Sequence, residues 1–143
     1  MSLTDHADPK AARIHGLELF KEADRKALEH LASAADEAKV AAGYRLITQG
    51  HHHAEGYVVE MGIAEVLVDD VVVAEIGEGQ MIGELAMFDR RPASATVRAR
   101  TDMTLLVLPY NRIDQILEEN PKMVRVLAEG LASRLRAMDA NHF

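Results

Sequence analysis

A chain of 143 residues, 48% hydrophobic and 27% charged, has the balance of a soluble globular protein and the length for one domain with a buried core. Its net charge of −7 argues against a nucleic-acid partner, which needs a basic patch. The absence of cysteine excludes disulfides, thiolate metal sites and cysteine nucleophiles.

The first ten residues are polar, with charges before any apolar run, and match neither a signal peptide nor a transit peptide. No stretch approaches the roughly 18 consecutive apolar residues of a membrane span. A cytoplasmic protein is expected, as one domain over residues 1–143.

The pattern begins as helix. A short helix is expected near 11–17, and a second near 24–34, where Ala27, Leu28, Leu31 and Ala35 recur at helical spacing and Asp24 suits an N-cap. From residue 38 the period changes. Residues 44–48 run between Gly43 and Gly50, and residues 57–61 run between Gly56 and Gly62, with Tyr57, Val59 and Met61 expected on one strand face. Ala64, Val66 and Val68 alternate next, and Asp69-Asp70 reads as a tight turn into Val71, Val72 and Val73. Further β-rich runs lie at 95–100 and 104–108. Short strands between glycine or acidic turns predict an antiparallel sandwich or barrel, mainly β with some α, rather than a βαβ sheet.

After Pro109 the helical period returns. Ile113, Ile116 and Leu117 mark one short helix, and Asn120-Pro121 starts another, with proline suited to a first turn. Val124, Leu127, Leu131, Leu135 and Met138 then form a stripe along about four turns. Such a stripe covers a core, and its near-heptad spacing also permits pairing with a second copy.

The informative segment is 77–98, GEGQMIGELAMFDRRPASATVR. Gly77 and Gly79 precede Gly83, and a short helix is expected over 84–87. A glycine before a helix start lets the backbone approach a ligand, and the first-turn amides of Leu85 and Ala86 suit an anion. Glu84 could accept hydrogen bonds from ligand hydroxyls. The plainer reading is that the glycines and helix only turn a corner, and that an acid at a helix start is favourable without any ligand.

GELA followed by P-x-x-A-T-V resembles the phosphate-binding cassette of the cyclic nucleotide-binding domain family, of the cAMP receptor and protein kinase A regulatory subunit type. The resemblance spans about residues 14–138. It implies an eight-stranded β-roll, over about 36–109, flanked by N-terminal helices and by C-terminal helices over about 110–139. It implies a non-enzymatic sensor with no cofactor and no catalytic residues, whose ligand is cyclic AMP or cyclic GMP. By the same resemblance Gly83 is the cassette glycine and Glu84 the ribose-binding acid. Leu85 and Ala86 present amides to the phosphate, and Ser94, beside Ala95, adds a hydroxyl. The family follows its proline with a phosphate-binding arginine; here Pro92 is followed by Ala93. Arg90 and Arg91 are expected to point away from the site. The resemblance also implies a homodimer through the C-terminal helix and an effector protein. No helix-turn-helix domain follows that helix before Phe143, so DNA binding is not expected.

Two alternatives stand beside this reading. A degenerate module without nucleotide binding would work through protein contacts alone. A cupin-like metal enzyme would centre on His51, His52 and His53, of which the first and last share a side in an extended segment; an exposed loop is the simpler account of these three. His6, His15, His30 and His142 are scattered. Ser94 and Thr96 lie in no nucleophile elbow and read as small polar strand residues.

Overall fold

A computed structural model describes residues 9–138. His6, His142 and the first eight residues lie outside the described residues, as does the side chain of Met138. The chain divides into two compact units, one of residues 34–113 and one built from the segments before and after it.

The larger unit holds eight strands among the described residues: β1 (Asp36–Val40), β2 (Arg45–Ile47), β3 (Glu55–Met61), β4 (Ala64–Val68), β5 (Val71–Ile76), β6 (Met81–Ile82), β7 (Thr96–Ala99) and β8 (Met103–Pro109). They form two four-stranded antiparallel sheets, ordered β1-β8-β3-β6 and β2-β7-β4-β5. The eight-stranded antiparallel roll is therefore present, and β1 and β6 are the two strands whose periodicity is too short or too charged to read in the sequence. Leu46, Ile47, Val59, Ala64, Ile82, Val97, Ala99, Met103 and Leu105 make the core of the roll.

Two strand faces differ from the simple alternation. In β3 the register shifts between Val59 and Met61, so Val59 is buried while Met61, two residues on, is 60% exposed. In β4 the register shifts between Val66 and Leu67, which buries Ala64 and Leu67 in place of an Ala64, Val66, Val68 series. A bulge adds one residue to one strand and moves every later side chain to the other face. The Asp69-Asp70 turn forms as read, with φ of 51° and 66°, the positive values of a type I′ hairpin.

The second unit is helical. It contains α1 (Pro9–His15), a 3₁₀ turn (Glu18–Phe20), α2 (Arg25–Ala34, all but its last residue), and the chain from Asp114 onward. Asp24 caps α2 as its position suggests, its Oδ1 accepting the Ala27 N–H at 2.8 Å. The C-terminal helix runs Pro121–Met138. Its stripe is not uniform: Met123 and Leu127 are buried, whereas Val124 and Leu135 are 52% and 62% exposed. Gly130 lies against Leu19, whose Cδ1 is 3.3 Å from where a Cβ would stand.

Candidate functional site

The site is built at the end of β6. Gly83 adopts φ of +82°, which only glycine holds without strain, and swings the chain out of the sheet. Glu84 and Leu85 form a turn, and α3 (Ala86–Asp89) is a single helical turn. Helical hydrogen bonding thus starts two residues later than the expected 84–87. Leu85 already has helical angles (φ −69°, ψ −44°), and no side chain caps the start of α3. Arg90 ends the helix in the left-handed conformation, φ 55°, with its N–H on the Ala86 carbonyl oxygen.

The loop after Arg90 is tied to the loop that follows β2. Ala93 N–H donates to the His51 carbonyl oxygen at 2.9 Å, and Gly50 N–H donates to the Ala93 carbonyl oxygen at 2.8 Å. Pro92, Ala93, Ser94 and Ala95 are thereby held facing α3.

Between these segments lies a cavity of about 350 Å³. Gly83, Glu84, Leu85, Ala86, Ala93, Ser94 and Ala95, singled out from sequence in two stretches, all line it. Its apolar wall comes from the roll and includes Ile47, Val66, Ile82 and Val97. Its charged lining consists of Glu84, Asp89 and Arg91.

Three residues at or beside the cavity were not singled out for it. Arg91 lines the cavity, whereas the sequence suggested that both loop arginines point away. That expectation holds for Arg90. The Arg90 guanidinium lies 4.7 Å from the centroid of the Tyr110 ring, and its Nε and one terminal nitrogen donate to the carbonyl oxygens of Met87 and Tyr110. The separation of two residues between Arg91 and Ala93 was the available signal, because an extended chain returns alternate side chains to one side.

His53 also lines the cavity, half-buried, while His51 and His52 are exposed. An exposed loop describes the first two histidines and not the third. Among the described residues no three His, Cys, Asp or Glu side chains converge as a metal would need.

Tyr110 supports the cassette from behind. Its hydroxyl donates to the Gly83 carbonyl oxygen and lies 3.2 Å from His53 Nδ1, which is also 3.3 Å from the Glu55 carbonyl oxygen. Since the one phenol proton goes to Gly83, these partners assign the Nδ1 proton to His53 as the shared donor. Burial pushes the Tyr110 phenol well above its ordinary range; the nearby Arg90 charge opposes this, and Tyr57, Glu84 and Asp89 reinforce it. No ordinary pH ionises a phenol so placed. The hydrogen bond to Gly83 therefore persists.

A sequence profile for the cyclic nucleotide-binding domain matches residues 37–120, well over half of the chain. The chain belongs to the cyclic nucleotide-binding domain family. Among its relatives, a cAMP-dependent protein kinase regulatory subunit from Yarrowia lipolytica (strain CLIB 122 / E 150) is 32% identical over 112 residues, 78% of this chain and 30% of that protein. The domain thus spans less than a third of the length of that relative. The crystal structure of the N-terminal domain of a transcriptional regulator from Streptomyces coelicolor A3(2) superposes with a TM-score of 0.78 at 27% identity, covering 92% of this chain and 97% of that one. The regulatory domain of Toxoplasma gondii PKA, co-crystallised with cAMP, gives 0.70 at 29% identity, covering 75% and 42% respectively. Among the described residues of this cyclic nucleotide-binding domain, no helix is long and apolar enough to cross a membrane.

Proposed function

We propose that this domain is a non-enzymatic sensor whose cavity takes a cyclic nucleotide. The observation that carries the reading is the convergence of Gly83, Glu84, Leu85, Ala86, Ala93, Ser94 and Ala95 on one cavity. Its volume falls within the range of small-molecule sites, about 300–1,000 Å³. In this reading the cyclic phosphate meets the Leu85 and Ala86 amides and the Ser94 hydroxyl. The ribose hydroxyls are held by Glu84. Oriented donors aimed at an anion need no rearrangement on binding, which favours the charged ring of a cyclic phosphodiester.

Ala93 stands where the family resemblance puts an arginine, so unless another cation takes its place affinity is lower than in a domain that has one. Removing one partner of a buried charge pair costs about 3–5 kcal/mol, or two to three orders of magnitude in affinity by the usual conversion. Ligand occupancy is read by a neighbouring domain or an effector protein.

Calorimetric titration with cyclic AMP and cyclic GMP tests this reading. Saturable binding is expected; no heat and no thermal shift at millimolar ligand ends it. Ala93 and the exposed Val124 and Leu135 of the C-terminal helix favour a second reading, an interaction domain that dimerises through that helix without nucleotide. Low-micromolar nucleotide binding eliminates it, and light scattering that finds only monomer at high concentration removes the dimer from either reading.

A further inference from the structure

Arg91 and Ala93 are two residues apart in a segment that cannot be helical, because Pro92 disfavours helical angles at the residue before it. The Arg91 N–H is held by Asp89 Oδ1 at 3.0 Å, and both backbone polar groups of Ala93 are bonded to the loop at 50–51. The stretch is therefore fixed at both ends, and Arg91 and Ala93 both line the cavity. Arg90 cannot substitute, since its guanidinium is committed to the Tyr110 ring and to two backbone carbonyl oxygens.

Charge decides what this placement does. Among the residues lining the cavity, Arg91 carries the only permanent positive charge, and Glu84 and Asp89 carry negative charges. An anion entering beside two carboxylates is repelled unless a cation sits with it. We propose that Arg91 supplies the counter-charge for the phosphate of the ligand, replacing from two residues upstream the arginine absent at position 93. The inference rests on the nucleotide reading above. Arginine suits this role because it stays charged at all working pH values and offers several donors in one plane.

The test is calorimetric titration of the whole chain with cyclic AMP at several salt concentrations, for the unaltered protein, Arg91→Gln and Arg91→Lys. Arg91→Gln is expected to weaken binding about 10- to 100-fold, the range for a hydrogen bond to a charged group. Its affinity should also depend less on salt, because a charge contact has gone. Arg91→Lys keeps the charge without the planar fork and should fall between the two. Melting temperatures of the variants should match the unaltered protein, since the Arg91 side chain is exposed. If Arg91→Gln binds as tightly as the unaltered protein with the same salt dependence, the role of Arg91 is refuted and the nucleotide reading survives. If the unaltered protein binds neither cyclic AMP nor cyclic GMP, both fall.

Discussion

The Tyr110 hydroxyl donates its hydrogen bond to the Gly83 carbonyl oxygen and lies 2.8 Å from the point where a Cβ on residue 83 would stand. The cassette turn and the first residue of α4 (Tyr110–Glu119) are thus fitted to one another, and a side chain at 83 has no room. Gly83→Ala is expected to lower stability by about 1–3 kcal/mol from the positive φ alone, with the overlap adding to it. Urea unfolding measures this. Tyr110→Phe removes the obstructing oxygen, so the double variant should be less destabilised than the sum of the two single ones, whereas strict additivity would mean the hydroxyl is not the obstacle.

The two loop arginines should separate cleanly by readout. Arg90 touches the Tyr110 ring and two carbonyl oxygens, so Arg90→Gln is expected to cost about 1–2 kcal/mol of stability. Arg91→Gln should leave the unfolding midpoint unchanged. A reversed pattern would show that the assignment of anchor and ligand contact is wrong.

Alkaline pH should destabilise the domain through its tyrosines. Burial, helped by the Glu55 carboxylate and Tyr44, pushes the Tyr57 phenol from 10.0 up to about 12, and Tyr110 moves in the same direction. Below pH 10 both the folded and the unfolded chain keep these protons, and the full stability is present. Above it the unfolded chain ionises first and binds fewer protons, so stability falls as pH rises toward the folded values. Denaturant midpoints measured between about pH 9 and pH 11.5 should decline, and the decline should be shallower in Tyr57→Phe. An equal slope in that variant counts against the cause.

Restoring the arginine should strengthen nucleotide binding, but by an amount that depends on Arg91. Ala93→Arg is expected to gain about 100- to 1,000-fold in cyclic AMP affinity when made in Arg91→Gln. In the unaltered background the gain should be smaller, because two guanidinium groups would compete for one phosphate. Equal gains in both backgrounds would mean that the two positions act on different parts of the ligand.

Much of the candidate site was legible because its devices are local. Gly83, the GELA stretch and the Pro92 to Thr96 run lie within fourteen residues of sequence, and all of the flagged residues meet at one cavity. His53 carried no signal of its own, since its place beside Gly83 depends on a loop some thirty residues earlier. Strand faces were readable only up to the bulges at 59–61 and 66–67. The stripe of the C-terminal helix named Leu127 correctly but passed over Met123, which is buried one position before the exposed Val124.

The chain order alone determined the turns: Asp69-Asp70, Gly83 and Asn120-Pro121 impose backbone angles or capping that neighbours along the chain hardly alter. It also determined that position 93 lacks a cation. Only the folded structure brings Arg91 to the lining of the same cavity as Ala93. Arg90 is left-handed and its side chain lies against Tyr110, while Arg91, the next residue, lines the cavity. That outcome could not be read from residue types, because the direction of a side chain follows from backbone angles that distant contacts hold.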